Sequence, residues 1–547
     1  MNTVLPRPHP AIDYAQPSQC LALLHALNTT ATDDAQRTLS DLLRGMANHP
    51  PPPGEHLHVL EEARPMLDFV LSHASQRYAS RALPPSGGEE DTLEQTVALW
   101  QAMAHNYGVV YERSLADPAF RERRALLAQR HIQYTAQAMV EFFRARREMA
   151  PDLWRLLHGR FLEAERGGVA DVRVPDPLNE TWGAQSAQEA YVAMLLIDAA
   201  GPYSRSPREF TWLVRWAHRF APYCVLRAIA EADVSHALYA LDLAADHGLR
   251  PLVQLVPGVG LRGLDTHKLA AHIHAVVGQL KKGVSAASLG LGEDCVQPAC
   301  ARLLVSLYRP WGMASAGRKF PRRRHHGWVR ICTDLQGVAF FLEGREFVQP
   351  NDPRRTSFSQ TQVFRVFGER AEGDVNSEEL QQRAQQLGFV QEVWDVLDQS
   401  VAGYRLTREA GESRIEHRQL VGLHPGNGEG MLLAEISWMQ YMRNGTLQAG
   451  TNVLPGPPQV AAVKLRLNER SMRERYRLGF LVPAVPSMKT DMTLIVPAGW
   501  FMADRVVEVQ HGDTPWFARM DKLVSRGSNF DRVSFTRQAA PVPGRVA

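Results

Sequence analysis

The chain has 547 residues, room for about three or four domains of ordinary size. Its 45% apolar and 22% charged residues are those of a typical globular protein, which excludes wholesale disorder and collagen-like or disulfide-stapled architectures. The 61 basic and 58 acidic residues leave a formal charge of +3, so a uniformly basic surface for coating nucleic acid is excluded, and a local basic patch is the most that composition allows.

Five cysteines (Cys20, Cys224, Cys295, Cys300, Cys332) are too few and too scattered for a disulfide framework. No CxxC pair occurs, so no structural zinc site is expected. Cys295 and Cys300 flank a loop and read as ordinary thiols. The first residues, MNTVLPRPHPAIDYAQ, lack the apolar core of a signal peptide. No apolar stretch approaches the ~20 residues of a membrane span. The expected setting is therefore soluble, reducing and cytoplasmic.

The first 310 residues read mainly as helix. Within 118–148, Ala125, Ala128, Ile132, Ala136, Met139 and Phe143 recur at spacings of three and four, one face of a helix. Arg123, Arg130 and Glu141 lie off that stripe. Over 91–110 the same spacing joins Leu93, Val97, Trp100, Ala104 and Tyr107, with Asp91 and Glu94 as the expected cap. Further helices are expected near 56–81, 186–200, 207–219, 232–247 and 265–281. The runs at 48–55, 83–91 and 166–183 are loops. No fixed repeat appears, so a regular solenoid is not supported.

GVGLRG at 258–263 matches GxGxxG, yet no alternating βαβ pattern surrounds it and no acidic residue stands about 20 positions on. It reads as a loop between helices. His267, His272 and His274 share one helical segment without a carboxylate or cysteine partner, so they are not expected to bind metal.

After about residue 310 the texture changes. WGMASAGRKFPRRRHHG is a polar, basic connector. Strand-like runs follow: WVRICTD, GVAFFLEG, EVWDVLD, GYRLT, LLAEISWM, GTNVLP and VAAVKLRL. One helix near 377–387 interrupts them, with Gly388 at its end. The last 80 or so residues continue with RLGFLVPA, MTLIVPAG, RVVEVQHGD and DRVSFTR. The expected fold is α+β and multidomain: an all-helical half over 1–310, a small β-barrel module over 311–465, and a β-rich subdomain over 466–547.

Between two of the strand-like runs, Asp398, Ser400 and Gly403 form DxSxxG. Asp and Ser offer short polar groups that can receive a base edge or cap a turn. Glycine lets another chain segment or a ligand come close. Upstream, Arg318 and Arg322 form RxxxR, and paired guanidiniums suit a doubly charged phosphate ligand. RxxxR also recurs at Arg466/Arg470 and Arg473/Arg477, but only the 318/322 pair precedes the DxSxxG element. The bland readings are a solvated linker for the arginines and a barrel-stabilising turn for DxSxxG. A DNA-contacting patch is a further reading, disfavoured by the near-neutral charge.

RxxxR in a connector followed by DxSxxG among short strands resembles the PilZ domain. In the closing run, a tryptophan in one strand and L-x-x-G-x-x-V-L in the next strengthen the resemblance, which covers about 318–465 and says nothing of 1–310. It implies a six-stranded barrel that binds cyclic di-GMP in a bacterial second-messenger receptor. In that reading Arg318 and Arg322 embrace the phosphates and stack on guanine, and Asp398 and Ser400 meet a guanine edge. Arg322 and Asp398 stand far apart for that family. Either the barrel carries an insertion, or the arginines are nearer ones such as Arg354, Arg355, Arg365 or Arg370.

The resemblance thus implies a non-enzymatic cyclic di-GMP receptor without cofactor or DNA, relaying its ligand to an unidentified protein partner through the helical half, in motility, pilus or surface behaviour. The alternative is a degenerate PilZ-like adaptor that binds protein and not nucleotide. A nucleotide-dependent enzyme using GVGLRG is the remaining reading.

Overall fold

A computed structural model describes residues 12–229, 239–251, 260–312, 322–350, 378–409, 411, 413–426, 430–466, 475–512 and 514–538. The chain divides into two compact units: residues 1–81 with 85–317, and residues 82–84 with 318–547.

The first unit is built on α1 (Pro17–His25), α2 (Thr32–Asn48), α3 (Pro53–Ser75), α4 (Gly87–Ser114), α5 (Arg124–Arg144), α6 (Leu153–Arg166), α7 (Ala187–Ala199), α8 (Pro207–Phe220), α9 (His267–Lys281) and α10 (Ala299–Gly312). The α5 stripe from Ala125 to Phe143 is buried as expected. Yet Arg130 and Glu141, off that stripe, are buried too. The reason is that α5 is wetted on neither side: Ile132, Met139 and Phe143 enter one core, and Leu127, Tyr134 and Ala138 another. The buried charges are paired. Arg130 donates to Asp176 at 2.9 Å and Glu61 at 3.2 Å, and Glu141 accepts from the Tyr78 hydroxyl at 2.7 Å. The cap of α4 lies earlier than expected: Ser86 and Glu89, not Asp91 and Glu94, form a capping box.

This half is not all-helical. Strands β1 (Val174–Pro175) and β2 (Ala184–Gln185) pair, and β3 (Val225–Ala228), β4 (Tyr239–Asp242), β5 (Arg250–Pro251) and β6 (Leu261–Asp265) form an antiparallel sheet in the order β3-β6-β4-β5. The described part of the helix expected at 232–247 is therefore strand and turn. GVGLRG runs into β6 and is not an interhelical loop; its first two residues lie outside the described residues. A dinucleotide fold needs parallel strands at that motif, and these are antiparallel. His272 stacks on Tyr223 with ring centroids 4.1 Å apart. Among the described residues no cluster of His, Cys, Asp and Glu could hold a metal ion. Cys295 and Cys300 are not thiols but a disulfide, their Cα atoms 5.5 Å apart across the loop that enters α10.

The second unit holds two closed six-stranded barrels. The first comprises β7 (Arg323–Cys332), β8 (Glu392–Ser400), β9 (Gly403–Glu409), β10 (Leu420–Pro425), β11 (Leu432–Tyr441) and β12 (Thr446–Val453). The second comprises β13 (Gln459–Leu465), β14 (Arg477–Val482), β15 (Thr493–Pro497), β16 (Val506–Gln510), β17 (Pro515–Arg526) and β18 (Phe530–Gln538). VAAVKLRL, read with the first module, therefore opens the second barrel. Both barrels close in the same order, with the first, second, third, sixth, fifth and fourth strands neighbouring in turn. Leu83 exchanges two backbone hydrogen bonds of 2.8 Å with Ile415, and its side chain joins the core of the first barrel.

GVAFFLEG, expected as a strand, is helix α11 (Leu335–Glu343). Asp334 caps it by accepting from the backbone N–H groups of Gln336 and Gly337, and Gly344 ends it at a φ of 69°. Its run of apolar residues reads as a buried strand because both sides are covered. Val338, Phe340 and Phe341 join one cluster with Leu420 and Leu433 of the first barrel and Phe480, Val482 and Ile495 of the second. The helix expected near 377–387 is α12 (Glu378–Gln386).

Two expectations follow. Phe340→Ala empties the shared core and should cost about 3–5 kcal/mol, with both barrels unfolding in one transition during chemical denaturation. Separate transitions would show that the barrels do not share their stability. In the helical unit, burial pushes His56 and His218 down to about 4 and His131 down to about 3, from an ordinary value near 6.5. The unfolded chain then binds more protons than the folded one below pH ~6.5, so stability falls as pH drops from there toward those values. Denaturation followed by far-ultraviolet circular dichroism should need less denaturant at pH 5 than at pH 7; an unchanged midpoint contradicts the burial of these imidazoles as neutral groups.

Candidate functional site

The site begins with strand pairing. β7 and β8 lie side by side, with Arg324 opposite Asp398 and Ile331 opposite Glu392. The segment between Cys332 and Glu392, which includes α11 and α12, is thus an insertion between adjacent strands of the barrel. It explains the long separation in sequence: the Arg322 guanidinium donates to Asp398 Oδ1 at 2.5 Å across 76 positions.

A bulge in β8 aims the carboxylate. Val396 faces Leu406 on β9, and an undisturbed ladder would set Asp398 opposite Tyr404. The register slips between Val396 and Asp398, so Asp398 faces Arg405 instead. Arg405 Nη1 lies 3.8 Å from Asp398 Oδ2. The two oxygens of one carboxylate are thereby addressed by guanidiniums from two directions. Asp398 and Arg322 are mostly buried, with 16% and 25% of their side chains exposed, whereas Arg405 is 42% exposed.

The rest of DxSxxG is a tight turn from β8 into β9. Ser400 Oγ donates to the carbonyl of Gly403 and accepts from the N–H of Ala402, both at 3.3 Å. Its hydroxyl therefore closes its own turn. Gly403 is required by close approach, because a Cβ there would sit 1.9 Å from the carbonyl oxygen of Thr451 on β12. The turn is further tied to β12 by Val453 N–H donating to Ala402 at 2.9 Å and Tyr404 N–H donating to Thr451 Oγ1 at 3.1 Å. Gln399, between Asp398 and Ser400, lines a cavity of about 240 Å³ with Gly327, Trp328, Val396 and Tyr404.

The structure thus gathers Arg322, Asp398, Ser400 and Gly403 at one edge of one barrel. Arg318 lies outside the described residues, as do Arg354, Arg355, Arg365 and Arg370. Arg322 is the last connector residue before β7, and the strand takes in the rest of the expected connector from Arg323 on. Arg405 is the site residue that sequence reasoning missed. Its signal lay in the sequence, two positions after Gly403 on the strand leaving the motif, but its facing Asp398 depends on the bulge.

Two family models match the chain. One, described as the N-terminal domain of the cyclic-di-GMP receptor FimW, covers residues 18–231. The other, the FimW C-terminal beta-barrel domain, covers residues 461–538, all of the second barrel but the first two residues of β13. The chain is thus similar to FimW over much of its helical unit and over its second barrel. The cyclic-di-GMP receptor FimW of Pseudomonas aeruginosa is 23% identical to it over 530 residues, spanning 89% of this chain and 84% of that protein. The residues matched by the two family models flank the first barrel and leave the Arg322–Asp398 site between them.

Gly403→Ala places a methyl group against backbone that cannot yield. It should destabilise the second unit by about 3 kcal/mol, the upper end of ordinary overpacking costs. Urea denaturation measures this; a cost under about 1 kcal/mol would mean that β12 does not hold the turn as closely as this geometry requires.

Proposed function

We propose that this chain is a cyclic di-GMP receptor whose ligand site is the edge of the first barrel carrying Arg322, Asp398, Ser400 and Gly403. The observation that supports it most is the convergence of an arginine and a DxSxxG turn separated by 76 positions. Guanidiniums bind phosphate oxygens through a planar fork and stack on ring faces. A half-buried carboxylate accepts the N–H donors on a guanine edge. The cavity beside Gln399 is smaller than the roughly 300–1,000 Å³ usual for whole ligands, so it suits part of a dinucleotide and not all of it. The FimW relative is named a receptor for the same ligand.

In this reading the chain is a binding protein and not an enzyme, and Arg318 joins Arg322 on the phosphates. The helical unit passes the ligand state to a protein partner. Among the described residues no helix is long and apolar enough to cross a membrane. A cytoplasmic setting belongs to the same proposal, although the Cys295–Cys300 bridge runs against it, since reducing compartments keep most thiol pairs open.

Calorimetric titration with cyclic di-GMP tests the assignment. Charge-assisted hydrogen bonds contribute about 1.5–3 kcal/mol each, so Arg322→Ala should weaken binding roughly tenfold to a hundredfold. Arg322→Lys should recover part of the loss. Arg466→Ala is the control, because Arg466 lies over the Phe517 ring of the second barrel. Loss of binding in the Arg466 variant with retention in the Arg322 variant would move the site to the second barrel. A wild-type chain that binds no cyclic di-GMP supports the protein-binding adaptor instead.

A further inference from the structure

Arg322 is engaged by the protein itself. Its guanidinium reaches Asp398 Oδ1 at 2.5 Å, and both groups are largely withdrawn from water. A phosphate that recruits Arg322 must take it from this carboxylate. The carboxylate would then be left partly buried and unpaired, which is the costly state for a charge. Arg405 is placed to prevent that. It stands directly opposite Asp398 in the β8–β9 ladder, with Nη1 3.8 Å from the other carboxylate oxygen, too far for a hydrogen bond and close enough to become one by a side-chain shift. Its guanidinium is under-used: Nε is buried without a hydrogen-bond partner among the described residues. The bulge that turns Asp398 from Tyr404 toward Arg405 sets up this pairing.

We infer that Arg405 is a positioning residue that takes over Asp398 when the ligand's phosphate takes Arg322, so that binding is an exchange of partners at one carboxylate. The inference rests on the receptor reading of this site. In the exchange no bond is made or broken covalently and no charge is left alone. Asp398 keeps one guanidinium throughout, and Arg322 trades a carboxylate for a phosphate. Arg405 acts through Asp398 and need not touch the ligand.

Double-mutant cycles in cyclic di-GMP binding separate this role from direct phosphate contact. Arg405→Gln should weaken binding about tenfold, the size expected for one charge-assisted hydrogen bond, and Arg405→Lys by less. The Arg405→Gln effect should vanish, to within about twofold, in an Asp398→Asn background and in an Arg322→Ala background, because in neither is a carboxylate–Arg322 pair left to break. A residue that contacts phosphate itself would keep its full effect in both. A structure of the wild-type chain with cyclic di-GMP decides the same point without variants: Arg405 hydrogen-bonded to Asp398, with Arg322 on a phosphate, is the expected result. Arg405 on a phosphate, additive losses in the cycles, or an Arg405→Gln variant that binds like wild type each overturn the exchange while leaving the receptor reading intact. A wild-type chain that does not bind cyclic di-GMP overturns both.

Discussion

The pairing of β7 with β8 is the constraint on which the site depends. These strands are neighbours in the barrel yet separated in sequence by an inserted segment that carries α11 and α12. Backbone hydrogen bonds fix their register, and register fixes which side chains meet. Arg322 reaches Asp398 only because Arg324 is held opposite it. The second contact depends on a single extra residue in the ladder. The bulge in β8 exchanges Tyr404 for Arg405 as the partner of Asp398. Two backbone features, one long-range and one local, thus place three charged side chains with no help from their neighbours in sequence.

The duplication of barrels offers a comparison for the proposed site. Both close with the same strand order, so equivalent positions can be compared directly. Ahead of β13 the chain reads LPGPP where the first barrel has its arginines. Between β14 and β15 it reads PAVPSMKTDM where the first barrel has DxSxxG. At these two positions the second barrel keeps the architecture without the arginines and the DxSxxG of the first. Its polar interior edges are satisfied from within: Lys464 pairs with Glu508 at 3.4 Å, and Tyr476 donates to the same carboxylate at 2.5 Å. What it contributes is the far side of the core around Phe340, which ties α11, and with it the start of the insertion, to both barrels. A strand-to-strand insertion anchored in this way keeps β7 and β8 in register at its two ends.

Much of this was legible in the sequence where one physical rule governs one element. The α5 stripe could be read because its apolar spacing is helical, and the DxSxxG turn because each residue type there has a local task. The strands around Trp394, Leu406 and Val507 could be read from their alternation. Misreadings arose where tertiary context overrides the local pattern. Phe340 and Phe341 sit in a helix covered on both sides, so the apolar run lost its 3.6-residue period and looked like a strand. The burial of Arg130, off the apolar stripe, could not be read because one sequence cannot show a second core behind the helix. Cys295 and Cys300 looked unpaired because their approach depends on the fold of the intervening loop. Arg405 was hidden for a related reason, since a bulge is a property of two strands and only one of them contains it.

The Arg322–Asp398 pair also bears on how tightly such a site can bind. A site whose charges already satisfy one another gains from a ligand only the difference between the new contacts and the old ones. Buried ion pairs are costly to open when one partner is left alone, by several kcal/mol. With Arg322 as the sole partner of Asp398, that cost would offset much of what a phosphate contact contributes, and a barrel with every motif residue in place could still be a poor receptor. The same residues therefore serve the receptor and the adaptor readings equally well until the fate of the abandoned carboxylate is considered. In the proposed exchange a third charged group within reach of Asp398 changes the balance, because it removes the isolated charge once Arg322 has moved to the phosphate. In this barrel that group stands on the neighbouring strand, aimed by the bulge, with donors to spare. The physical difference between an intact motif and a working site lies in that neighbour as much as in the motif.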